Sequence, residues 1–167
     1  MGSMGRGCRN PVPAVAAVRG SMGSSFVGLG DKGFWAQDSS LQLWLHCVVH
    51  AIDEAPDPPP WLLRARAKWA RQARWGGVGC VETALDTYLQ PDDRRAVLLE
   101  ISQQALRRLA QARLVISKDV LNGLPPGTAG SCWTRDVETA RVMRIGEAFV
   151  ALVRGELLSD AATFPVL

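Results

Sequence analysis

The segment HCVVHAID places His46, His50 and Asp53 four and three residues apart, which on a helix puts all three within roughly 60° of one another. Two imidazoles and a carboxylate on one face begin a divalent-metal site with positions left open for water or substrate. Such a site would make the chain a metal-dependent helical-bundle hydrolase or transferase acting through metal-bound water. Cys47 stands where the glutamate of an HExxH zinc protease would be, so that motif is not met. His46 and His50 are the only histidines. Further ligands would therefore be acids such as Glu54, Asp57, Glu82 or Asp86. The same spacing suits a solvated polar face, and a divalent metal is the one cofactor any pattern here suggests.

A second cluster is RARAKWARQAR, which carries Arg64, Arg66, Lys68, Arg71 and Arg74 with no acid among them, and Trp61, Trp69 and Trp75 interleaved or adjacent. Arginine and tryptophan are the residue types that dominate protein-protein contacts. Basic residues with stacking aromatics also suit single-stranded nucleic acid. Arg64, Lys68, Arg71 and Trp75 are the expected partner-contacting residues. Cys80 follows GGVG at the start of an expected helix, where the helix dipole favours a thiolate, but nothing in the spacing couples it to His50. None of the glycine-rich stretches at 33–35, 76–80 and 123–130 is a GxGxxG or GxxxxGK[ST] phosphate loop. No nucleophile-elbow motif anchors serine chemistry.

The chain that must position these groups has 167 residues, 47% hydrophobic and 21% charged, which suits a single globular domain. Its net charge of +3 comes from Arg6, Arg9 and Arg19. From Met22 onward acids and bases balance, which argues against a dedicated nucleic-acid binder. Four cysteines, at 8, 47, 80 and 132, lack the paired spacing of a zinc ribbon and the density of a secreted disulfide scaffold. They point to a reducing compartment, the cytoplasm, and the abundance of Ala and Arg fits a GC-rich bacterial genome. No apolar run reaches the length of a membrane span. Residues 1–30, basic, Gly-rich and broken by Pro11 and Pro13, are expected to form a leader outside the fold, disordered or vector-derived, with residues 31–167 as the domain.

Helical periodicity begins at Asp38. Leu41, Leu45, Val48 and Ile52 share one face, and Pro56 and Pro58 to Pro60 end that helix near Ala55. Pro60 then suits the first position of a helix over 60–75. A short helix is expected in CVETALDTYL, a long one from Arg94 to about Arg113, a short one capped by Ser117, and a last one from about Asp136 to Leu158. Gly146 lies in the apolar stripe of that last helix, where a missing side chain lets another helix approach. RLVIS at 113–117 is the lone strand candidate, and a lone strand has no sheet. The expected fold is therefore all-α, a single compact bundle-like domain of about five or six helices. Its core is expected to include Leu41, Leu45, Val48, Trp69, Leu98, Leu106, Phe149 and Leu152.

A charge-balanced helical domain without a cofactor fingerprint acts more readily through its surface than through chemistry. The leading expectation is thus a non-enzymatic protein-binding module, such as a small intracellular immunity, adaptor or regulatory protein that covers a partner surface. The metal-dependent enzyme is the alternative, and nucleic-acid binding by the basic helix ranks third.

Overall fold

Residues 24–37 form a hairpin because inward and outward positions alternate and a two-residue loop joins the strands. In this computed structural model, which describes residues 23–75, 81–90, 92–123, 133 and 135–156, strand β1 (Ser24–Leu29) pairs antiparallel with β2 (Lys32–Gln37). Leu29 faces Lys32 across Gly30 and Asp31, and Gly30 takes φ +64, the positive value that favours glycine at the first turn position. Ser25, Val27, Phe34 and Ala36 are buried, so one face of the hairpin belongs to the core. Phe26 and Trp35 pair on its other face at 5.4 Å between ring centroids.

The chain continues through α1 (Asp38–Asp53), α2 (Pro60–Trp75), α3 (Leu85–Tyr88), α4 (Arg94–Ala110), β3 (Val115–Ile116), α5 (Lys118–Asn122), β4 (Val137–Glu138) and α6 (Thr139–Arg154). Helix α1 is the centre: it packs on α2, α4 and α6. Trp44 is fully buried there, edge-on to Phe149 at 5.7 Å. Leu41, Leu45, Val48, Trp69, Leu98, Phe149 and Leu152 are fully buried as expected, whereas Leu106 is half-buried against their margin. Gly146 meets the expectation of close approach, since a Cβ there would lie 2.6 Å from Trp44 Cζ3 and 2.7 Å from Leu106 Cδ2.

The all-α expectation is corrected. The described residues form six helices and two small antiparallel sheets, a mostly helical but mixed α/β fold. RLVIS does find a partner: Val115 pairs with Glu138 and Ile116 with Val137, inside the segment expected to start the last helix. Asp136, an expected cap of that helix, instead accepts from the Lys118 backbone N–H at 2.8 Å, and α6 begins at Thr139. Ser24–Leu29, within the segment expected to lie outside the fold, is β1. Ser25 ties it inward: its Oγ donates to Asp38 Oδ1 at 2.6 Å and accepts from the Val81 N–H at 2.8 Å.

The helix expected over CVETALDTYL shrinks to Leu85–Tyr88. The cause lies in what holds residues 81–84. Val81 donates to Ser25, Glu82 N–H donates to Gln72 Oε1 at 3.2 Å, and the Thr83 carbonyl accepts from Trp69 Nε1 at 2.7 Å. Those backbone groups are committed to side chains elsewhere, and Ala84 turns the chain with φ +51. By contrast, Pro60 opens α2, and Ser117 caps α5 by accepting from the Val120 N–H at 3.3 Å.

Candidate functional site

All three residues of the expected metal set lie on α1, but the structure gives them other partners. Asp53 is held at both oxygens by Arg66, at 2.8 Å each. His50 is exposed, and its Nδ1 lies 3.1 Å from Arg108 Nη1. Because a guanidinium only donates, that nitrogen accepts and the ring proton is assigned to Nε2. Arg108 also contacts Glu54, whose carboxylate is 3.6 Å from the same imidazole nitrogen. His46 is half-buried, and burial, followed by the neighbouring His50, holds its pKa below the usual histidine value against the pull of Asp53.

His46 thus senses His50 and Asp53 along α1, but guanidiniums from α2 and α4 contact Asp53 and His50 and oppose a divalent cation. Among the described residues, no group of three or more His, Cys, Asp or Glu side chains is placed to hold a metal. Cys47, on the same helix, is pushed up to about 11 by burial, so its thiol carries no thiolate at neutral pH. Cys80 lies outside the described residues.

The basic helix separates into two sets. Arg66 is paired with Asp53, and Lys68 donates to Glu82 Oε2 at 2.8 Å. Trp61 is buried, with the Arg94 guanidinium 5.4 Å above its ring, and Trp69 is fully buried. Arg64 and Arg71 are exposed on the outward side of α2 with Ala67 between them, and Leu63 beside them is 47% exposed. Neither arginine makes an ion pair among the described residues. Seven residues of helix separate them by about 10.5 Å on nearly the same bearing. Trp75 ends α2, and its side chain lies outside the described residues.

Sequence reasoning missed a cleft of about 910 Å3 between the hairpin turn, α3 and the facing ends of α4 and α6, lined by Asp31, Lys32, Asp86, Asp92 and Arg95. Its residues are spread over the whole described chain, and the signal that could have found it was the hairpin turn itself. Comparison with protein-family models, with curated proteins and with solved structures gives no match. Among the described residues, no helix is long and apolar enough to cross a membrane.

Proposed function

We propose that this chain is a non-enzymatic protein-binding module that presents the outward face of α2 to an acidic patch on a partner protein, as an immunity, adaptor or regulatory protein does when it covers a functional surface. One observation carries the reading: of the basic residues along α2, Arg64 and Arg71 stay exposed without an ion pair among the described residues, beside the exposed Leu63. Two cations flanking an apolar side chain match the make-up of a contact centre, in which an apolar or arginine anchor is surrounded by charge that steers the encounter. Lys68, expected to join them, is neutralised by Glu82 and takes the supporting role of holding residue 82 against α2.

Burial of Trp61 and Trp69 weakens the nucleic-acid reading, because buried rings offer no face for bases to stack on. The pairing of Asp53 with Arg66 weakens the metal-enzyme reading in the same way. The test is affinity capture with three forms of the protein: wild type, Arg64→Glu with Arg71→Glu, and Arg107→Glu with Arg144→Glu as a charge-matched control on the exposed sides of α4 and α6. A partner retained by wild type and control but lost at least tenfold by the double reversal is the expected result. A double-reversal protein that keeps every wild-type partner overturns the reading.

A further inference from the structure

Strand β3 has β4 on one side and no strand on the other among the described residues. Its register decides which backbone groups face that open side. The Thr139 N–H donates to the Leu114 carbonyl at 3.0 Å, and the ladder sets Val115 opposite Glu138 and Ile116 opposite Val137. Leu114 and Thr139 are therefore a hydrogen-bonded pair. In an antiparallel ladder such pairs alternate with pairs whose N–H and C=O groups point away from each other, and Val115 belongs to the second kind. Both its N–H and its carbonyl face outward, and neither has a hydrogen-bond partner among the described residues.

The side chains leave the same edge apolar. Leu114 is 89% exposed and Val115 45%, and Val120 follows on α5 at 56%. Among the described residues the one other exposed large apolar side chain is Leu63, on α2. Open edges are commonly blunted by a charge or a proline on the strand, and neither occurs at 114–116. Charges stand outside the strand instead: Arg113 precedes it and Asp119 follows it in the first turn of α5. Both are exposed, and neither makes an ion pair among the described residues.

We propose that β3 pairs antiparallel with β3 of a second copy of this chain across a two-fold axis at Val115, so that two small sheets become one of four strands. A residue whose N–H and C=O both face outward meets its own copy by exchanging two hydrogen bonds, the pattern of a hydrogen-bonded antiparallel pair. A two-fold contact requires that self-complementarity. With Val115 on the axis, Leu114 stands opposite Ile116 of the second copy, which covers the most exposed apolar side chain. Arg113 stands opposite Ser117 of the second copy, two residues from its Asp119, while Lys118 faces Ala112 and meets no like charge. Any extended strand could satisfy the hydrogen bonds. The order of charges, base before the strand and acid after it, selects an antiparallel copy. Two hydrogen bonds and a few side chains fall below the area of a stable dimer, so the association is weak, with a Kd of about 10 µM to 1 mM. The edge shares no residue with the outward face of α2, and the proposal stands apart from the protein-binding reading.

The experiment is sedimentation equilibrium of the full-length protein from about 10 µM to 1 mM, with three variants. Val115→Pro removes the outward N–H and leaves the bonds of Leu114 and Ile116 to β4 in place, and proline is tolerated on an edge strand in that orientation. Arg113→Glu sets acid toward acid. Arg113→Glu with Asp119→Arg restores opposite charges in reversed order. The expected result is a reversible monomer–dimer equilibrium weakened at least tenfold by Val115→Pro and about threefold by Arg113→Glu, with the charge swap regaining most of that loss. The charge variants leave the backbone untouched, so they decide the outcome if Val115→Pro lowers stability. A monomer across the whole range overturns the proposal and leaves the edge to another protein's strand. A dimer that Arg113→Glu does not weaken, or that a folded Val115→Pro protein forms equally well, overturns it too.

Discussion

Replacing Gly146 by alanine sets two known effects against each other. In the middle of a helix, alanine is favoured over glycine by about 1 kcal/mol. At this position a Cβ would stand 2.6 Å and 2.9 Å from Trp44 Cζ3 and Cε3, and 2.7 Å from Leu106 Cδ2. Leu106 is half-buried and flexible and can turn aside. Trp44 cannot, because its ring is fully buried and set edge-on against Phe149. Overpacking of this kind costs about 1–3 kcal/mol, so the expected net change is a loss of about 1 kcal/mol, equivalent to roughly 4 °C in Tm for a domain of this size. Urea unfolding followed by circular dichroism measures it, with Ala96→Gly on the exposed side of α4 giving the helix-propensity scale in the same protein. The atoms that clash belong to the six-membered ring of the indole, so Trp44→Phe removes them, along with a buried indole N–H that has no hydrogen-bond partner. The double variant is then more stable than the two single changes predict by at least about 0.5 kcal/mol. A Gly146→Ala protein stabilised by the full 1 kcal/mol of propensity, or single changes that simply add, would refute the close packing of α6 on α1.

Four further outcomes follow from the same contacts. Ser25→Ala strands the Val81 N–H and one oxygen contact of Asp38, and is expected to cost about 2 kcal/mol in urea unfolding; an unchanged midpoint would detach the hairpin from the domain. Cys47, with its thiol pKa raised to about 11 by burial, is expected to resist Ellman's reagent at pH 8 until the protein unfolds. Because the unfolded thiol loses its proton near 9.0 while the folded one keeps it to about 11, stability falls as pH rises through that window, and Cys47→Ala removes that share of the fall. His46 behaves in the opposite sense: burial lowers its pKa from 6.5, the unfolded chain binds the proton more readily, and stability drops as pH falls below that value. His46→Gln is expected to flatten this part of the profile. Elemental analysis of untagged protein is expected to find less than one metal per chain, unchanged by His46→Ala with His50→Ala; a stoichiometric metal lost in that variant would restore the enzyme reading.

The long helices were legible because each carries a complete local signal. Helix α2 has proline at its first position, and α1 and α6 have continuous apolar stripes that bury Leu45, Val48, Phe149 and Leu152. The hairpin was not legible by hydropathy, since Gly28 and Gly33 occupy positions where the Phe26 ring lies too close for a Cβ, at 2.7 Å and 2.3 Å. Glycines there dilute an alternation that the burial of Ser25, Val27 and Leu29 then reveals. The strand at Val115–Ile116 was visible only as a fragment, because its partner at Val137–Glu138 is supplied from beyond α5.

Charge pairing on the basic helix was hidden for a similar reason, and Trp69 shows the mechanism. Read along the sequence, it is an aromatic among cations, suited to stacking. In the fold its ring is buried and its Nε1 holds the Thr83 carbonyl at 2.7 Å, which lays residues 81–84 along α2. Glu82 is thereby brought within 2.8 Å of Lys68, while Asp53 reaches Arg66 from the end of α1. The core residue thus brings an acid to Lys68, while the packing of α1 against α2 does the same for Arg66. A count of charges along α2 gives its total, but only the anchoring of its neighbours leaves Arg64 and Arg71 as the exposed pair without an ion partner among the described residues.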